Sequence, residues 1–416
     1  MATKKVSPYI SLGEEDTNPL LDGSGSEIAI FIGPSSNPSP TTITKDSLKK
    51  YAKYAKAAKT VEAGGLGLDS NIENNPLLQV VKDFFVESAK TSTNDTGVSY
   101  CYAIDLGNAP TNALLQSALE LCVMKPEITV IAITGLKNTT DNTYIGFNYE
   151  FMMATAQYLK DQRDKTRLQI AYFQAPADKT DADLISMTMG KLTTDGNRDT
   201  TNIIRNSRIN IVENKYFGRT IARICLTPYY EEPGYNYYRT IEPASTDDAV
   251  EYFTERTPDE EDALCEAGII FNRDEEYLDP IRPCICLATS TAYAYADMDR
   301  PNDALLHARR NADHQLRQLV KIVAIQLKRN ETKTNIRYVK SDCESYLDTE
   351  YKSGYIQSDY GVEITEAFED PYKLYLKANI TPVNSTQAII ISAYIGYPAA
   401  RVSDELTKVA ATSEEE

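Results

Sequence analysis

Five short apolar runs in the first half of the chain are each followed by a helix-like pattern, and this alternation limits the fold more than any other feature. The runs are "SEIAIFIG" (26–33), "VSYCYAIDL" (98–106), "EITVIAITGL" (127–136), "LQIAYFQAP" (168–176) and "RINIVEN" (208–214). Helical patterns follow at 44–59 and 76–90, then at 112–124, 147–162, 181–192 and 217–226. Pro76 opens the second of these at a favourable first-turn position. Strands that alternate with helices predict an α/β layer with parallel strands.

The pattern changes at 228–262, a stretch rich in Pro, Gly, Tyr and acidic residues that reads as a connection between domains. Beyond it come a helix, a turn and a strand in "EDALCEAGIIFNRD", and a strand in "RPCICLATST" (282–291). The stretch 302–329 is the strongest helix, with Leu305, Ala308, Ala312, Leu316, Leu319, Val323 and Leu327 at helical spacing. A further amphipathic helix (336–351) and a strand (370–380) follow.

Both ends carry a strand-like segment. In "KVSPYISL", Val6, Ile10 and Leu12 share one face and Tyr9 the other, and Pro8 suits an edge position. In "QAIIISAYIGY" (387–397), Ile389, Ile391, Ala393 and Ile395 share a face. The expected organisation is an arm and linker (1–25), an α/β outer domain (26–230), a connection (231–262), an inner domain ending in the C-terminal strand (263–398) and a flexible acidic tail (399–416). The fold class expected is mixed α/β in a multi-domain subunit with extended terminal arms.

Charge and cysteine content exclude several functions. Of 416 residues, 43 are Lys or Arg and 60 are Asp or Glu, giving a net charge of −17. Phosphate neutralisation needs clustered positive charge, so this balance argues against nucleic acid as a partner. No apolar run approaches the roughly 20 residues of a membrane span, so no membrane insertion is expected. The start, "MATKKVSPYISL", lacks the apolar core of a signal peptide. Seven cysteines (Cys101, Cys122, Cys225, Cys265, Cys284, Cys286 and Cys343) stand in apolar contexts and read as reduced and buried. The 28 tyrosines suit a protein with many interfaces.

Sequence motifs for chemistry are sparse. His307 and His314 share a helix face and read as surface or interface histidines, since two histidines alone do not make a zinc site. The glycines of "AGGLGLDS" fit neither a dinucleotide nor a Walker motif. No G-x-S-x-G elbow occurs. The carboxylates of "ERTPDEEDALCE" read as a solvated run. No catalytic residue, metal or cofactor is expected. One electrostatic feature is sharper: between 302 and 329, six basic residues stand against Asp303 and Asp313. Arg310, Arg317 and Lys321 fall near one side, away from the leucine stripe, as a basic stripe for an acidic partner surface.

In their order, several stretches resemble the contractile tail sheath family of phages and related injection systems. "VSPYISLGEED" stands where the family's N-terminal arm does. "SEIAIFIG", "PLLQVVKDFFVESAK…GVSYCYAIDL" and "ALLQSALELCVMKPEITVIAITG" follow. "LCEAGIIFNRDEEYLDPIRPCICLATST", "ARRNADHQLRQLVKIV" and "VKSDCESYLDTEYKSGYI" are similar to the conserved part, and "ANITPVNSTQAIIISAYIGYP" to the C-terminal strand. The chain departs from the family in its tyrosine-rich 228–240 stretch and in the absence of Trp-Gly near "ICLATST".

The resemblance implies a structural subunit, not an enzyme. It implies terminal strands that leave their own subunit and complete sheets in neighbours, through Val6, Tyr9, Ile10 and Leu12 at one end and Ile389, Ile391, Ala393 and Ile395 at the other. Such contacts are heterologous and build a helical stack of rings. The implied partners are further copies, an inner tail tube protein, and baseplate and tail terminator proteins. Arg310, Arg317 and Lys321 would face the tube. The implied place is the tail of a virion or injection particle, assembled in the host cytoplasm. Two other readings stay open: a cytosolic α/β enzyme, and another tail structural component.

Overall fold

Residues 28–33 illustrate how this sequence builds a sheet covered on both faces. Along "IAIFIG", Ile28, Ile30 and Ile32 point into one core, while Ala29 and Phe31 point into another. All six residues are buried, as expected of a strand with helices above and below. A computed structural model describes residues 27–89, 100–122, 124–137, 144–163, 167–233, 256–274, 283–285, 290–291, 305–324, 333–367 and 370–382.

In chain order the elements are β1 (Ile28–Gly33), β2 (Lys49–Tyr51), α1 (Tyr54–Ala57), α2 (Pro76–Ser88), β3 (Cys101–Asp105), α3 (Asn112–Cys122) and β4 (Ile128–Ile133). Then come β5 (Leu136–Lys137), β6 (Tyr144–Ile145), α4 (Tyr149–Arg163), β7 (Ile170–Gln174), α5 (Asp181–Met189), β8 (Lys191–Leu192), β9 (Arg198–Asp199), β10 (Ile209–Val212) and α6 (Phe217–Leu226). The remainder are α7 (Pro258–Glu266), β11 (Ile269–Ile270), β12 (Asn272–Asp274), β13 (Pro283–Ile285), α8 (Leu306–Ala324), α9 (Lys333–Lys352), β14 (Gly361–Ala367) and β15 (Asp370–Asn379).

Seven strands form one sheet in the order β11-β10-β7-β4-β1-β3-β2. Every pairing is parallel except β2 with β3, where Lys50 lies opposite Tyr102. The mixed α/β class expected from the sequence is therefore the fold found. Its seventh strand, β11, lies beyond the connection expected at 231–262, so one sheet includes residues from both sides of that stretch.

The helical reading of 44–59 gives way to a 3-10 turn (Lys45–Ser47), strand β2 and the short α1. The reason is tertiary: β3 offers an edge, and Tyr51 is 2 % exposed in the core while Lys49 and Lys50 face out.

On one face, α3 and α4 bring Leu115, Leu119, Met152 and Leu159 against Ile30 and Ile131. On the other, α2 and α6 bring Phe84, Ile221 and Ile224 against Phe31, Val130 and Tyr172. The ten residues of α6 are all buried, including Arg219 and Arg223. Their charges are met one turn apart on α2: Arg223 bonds Glu87, with Nε at 3.1 Å, and Arg219 lies 3.5 Å from Asp83. The two helices approach closely at Gly218, where a Cβ would stand 2.2 Å from the Val80 carbonyl oxygen.

A third, smaller core joins Leu319 of α8, Val339, Cys343 and Leu347 of α9, Ile356, and Val362 of β14. Hairpin β14–β15 is a separate two-stranded sheet with Val362 opposite Ala378 and Ile364 opposite Leu376. Cys101, Cys122, Cys225 and Cys343 are buried and free, and Cys265 is half-buried. Cys284 lies on β13, and Cys286 falls outside the described residues.

Candidate functional site

Helix α8 lies across the amino ends of the sheet strands, and charged residues placed just before those strands hold it there. Glu27 precedes β1, Gln169 precedes β7 and Arg208 precedes β10. Arg310 Nε donates to Glu27 Oε2 at 2.8 Å, and Arg310 Nη2 donates to the Thr227 carbonyl at 2.5 Å. Glu27 is fixed in turn by its backbone N–H, which donates to the Cys225 carbonyl at 3.3 Å. On the neighbouring face, Arg208 grips Asp313 with two nitrogens at 2.7 and 2.8 Å and also donates to the Gln169 carbonyl at 3.0 Å.

This geometry corrects the reading of Arg310 as part of an outward basic stripe. Its side chain is 0 % exposed. Burial works against its charge, but Glu27, with Tyr172 and Cys225 adding to it, outweighs burial and holds the guanidinium pKa above the ordinary value. The sequence hid this because the counter-charge stands 283 positions away. Arg317 remains 21 % exposed, 3.9 Å from the second Glu27 oxygen. Lys321 is half-buried and donates to Gln318 at 3.1 Å. Burial, with Arg317 adding to it, pulls the Lys321 amine down to about 8.

Both histidines are inside rather than on the surface. His307 Nδ1 lies 2.8 Å from Glu232 Oε2, with both groups buried. The His314 ring stacks on Tyr229 at 3.7 Å between centroids. Burial first, then Arg317, Lys321 and Arg310, lower His314 to about 3, so its ring is neutral near pH 7. Tyr229 donates to Glu350 at 2.9 Å, and Gln315 donates to the same carboxylate at 2.6 Å. The start of the tyrosine-rich connection is thus clamped between α8 and the end of α9. The seam is a structural joint: Arg310 pairs with Glu27, Arg208 pairs with Asp313, and Glu350 is held by Tyr229 and Gln315.

Hairpin β14–β15 has a different character. Val362, Ile364 and Ala378 pack toward the third core. Among the described residues the hairpin pairs with no third strand. A two-stranded hairpin alone is marginal in water, and its outer edges offer unpaired backbone groups. Sequence reading identified β15 but not β14, because "GVEITEA" alternates weakly and is rich in polar residues. The terminal strand residues Val6, Tyr9, Ile10, Leu12, Ile389, Ile391, Ala393 and Ile395 lie outside the described residues.

Among the described residues, no group of three His, Cys, Asp or Glu could hold a metal ion, and no helix is long and apolar enough to cross a membrane. The carboxylates expected to be solvated include Asp259 and Asp262, which are exposed on the first turns of α7.

No protein-family model matches the chain, and no curated protein matches it. Solved structures do. The helical sheath of the anti-feeding prophage in its contracted state is 13 % identical, with a TM-score of 0.59 over 94 % of this chain and 99 % of that one. The contracted sheath complex of an extracellular contractile injection system is 11 % identical, with a TM-score of 0.58 over 95 % and 99 %. A sheath tail protein from Listeria innocua is 8 % identical, with a TM-score of 0.54 over 88 % and 95 %. At these identities what is shared is the fold, and it extends over nearly the whole chain.

Proposed function

We propose that this chain is the subunit of a contractile tail sheath, which polymerises around an inner tube and shortens to drive it through a target envelope. The observation that carries the reading is the fold shared with two sheaths solved in contracted form, over 94 and 95 % of this chain. The sequence adds two strand-like termini, and hairpin β14–β15 offers edges on which such strands can add.

The mechanism follows from strand addition. Main-chain hydrogen bonds are indifferent to side-chain identity, so a strand from one subunit can complete a neighbour's hairpin and hold while the bodies rotate past each other. Contacts between unlike surfaces propagate into an open helical array. Energy is stored at assembly, and no nucleotide needs to be hydrolysed. In this reading the sheet region, 26–230 together with β11, supplies the outer body, and the rest of 263–398 the inner part. Arg317 and Lys321 are the members of the basic stripe left to meet the tube, since Arg310 is committed to Glu27. Tube, baseplate and tail terminator proteins are the partners, and the tail of a virion or injection particle is the location.

The test is assembly. Purified full-length protein should form rings or tubes in electron micrographs. Deleting 1–25 or 387–416 should leave a folded monomer that no longer assembles. Normal polymerisation of either truncated chain would overturn strand exchange. Charge reversal at Arg317 and Lys321 should weaken co-assembly with the tube protein, and unchanged co-assembly would place the tube contact elsewhere.

A further inference from the structure

The two edges of the seven-stranded sheet carry opposite charge. At the β2 edge, Lys45, Lys49, Lys50, Lys53, Lys56 and Lys59 are all exposed, with Asp46 the one acidic residue in the stretch 45–59. This is a dense basic patch in a chain of net charge −17. The fold gathers it: the 3-10 turn and α1 directly flank β2, the last strand of the sheet. None of the six lysines is ion-paired with a described residue, and Lys50 lies over the Tyr100 ring at 3.7 Å. At the opposite end, α7 leads directly into the edge strand β11. It presents Asp259, Asp262 and Glu266, all exposed. Its other acids have internal roles: Glu260 caps the helix through Thr257, and Glu261 lies 3.6 Å from Arg273.

We propose that these edges dock against each other between copies of this chain, the lysine edge of one subunit meeting the α7 acids of the next. Complementary patches steer encounter and fix register, while like charges set face to face reject the wrong pairing. The two patches differ and sit at opposite ends of one sheet, so each subunit can engage a different neighbour at each end, and the contact proposed is heterologous. A heterologous contact cannot close as a two-fold dimer, so it extends into rings or helices. The lysines also keep the β2 edge from pairing with stray strands, so the contact is made through side chains. The proposal rests on the reading of the chain as a self-assembling subunit and specifies one contact within it.

Two charge-reversed full-length proteins test it. One carries Lys49→Glu, Lys53→Glu and Lys56→Glu, and the other Asp259→Lys, Asp262→Lys and Glu266→Lys. All six positions are exposed, and an unchanged thermal melt confirms that each variant folds. Each alone should raise the concentration needed for assembly by roughly tenfold or more, the equivalent of about 1.4 kcal/mol in the contact. An equimolar mixture of the two should regain assembly, since each then meets an opposite charge on its neighbour. Carbodiimide coupling in wild-type assemblies made from isotope-mixed protein should join Lys49, Lys53 or Lys56 of one copy to Asp259, Asp262 or Glu266 of another. Wild-type assembly with no effect of either reversal, or no rescue on mixing, overturns this contact and leaves the sheath reading standing. A wild-type chain that stays monomeric at every ionic strength overturns both.

Discussion

The seven-stranded sheet and the β14–β15 hairpin satisfy their strands in different ways. The sheet has its own helices on both faces, so Phe31 and Ile131 are enclosed by residues of the same chain. The hairpin packs one face on a core drawn from six buried residues, and its edges have no strand partner among the described residues. The first region is enclosed by its own chain, while the proposed function has the second completed by a strand from a neighbour. Between them lies α8, tied to the sheet by Glu27 and Arg208 and to the smaller core by Leu319.

That joint is where the comparison breaks most sharply. Arg310→Ala leaves Glu27 buried without its close partner, and loss of one member of a buried pair costs about 3–5 kcal/mol. Chemical denaturation should show this loss, together with a split of the single transition as α8 separates from the sheet. A single transition with an unchanged midpoint would show that α8 is held by apolar contacts alone.

The next test compares the two cores. Phe31→Ala should destabilise by about 3–4 kcal/mol, because close-packed neighbours on both sides cannot fill the space. Val362→Ala, in the smaller core, should cost about 1.5 kcal/mol. Equal losses in denaturant melts would mean that the hairpin is packed as tightly as the sheet.

A third test is a pH dependence. The folded-state value for His314, about 3, lies below the ordinary 6.5. As the pH falls through the ordinary value, the unfolded chain takes up a proton that the folded chain does not. Stability from this group is therefore full above pH 6.5 and is lost toward pH 3. Between pH 7.5 and 5 the loss should be about 2 kcal/mol. Melts of His314→Gln against the parent should show a shallower slope in that window, and parallel slopes would mean that the ring titrates normally.

Much of the sheet was legible because its strands are near-continuous apolar runs, a pattern with few other homes. Helices α2, α3, α4 and α6 were legible from apolar spacing for the same reason. The 44–59 stretch misled: its Leu48, Tyr51 and Ala55 fit a helix, but the open edge of β3 captured Tyr51 into a strand. The site was less legible than the fold. A helical wheel places Arg310 beside Arg317 and Lys321, yet says nothing of Glu27, and both histidines looked polar enough for the surface.

The sequence by itself determined the α/β class, the order of its main elements and the acidic balance, because apolar periodicity and charge are local properties of the chain. Tertiary structure decided which charges are spent and which are free. Arg310, Arg208 and Arg223 are buried because carboxylates distant in sequence meet them. The lysines of 45–59 stay exposed because β2 is the last strand of its sheet. Pairing energy depends on separation in space, and only the fold sets that separation.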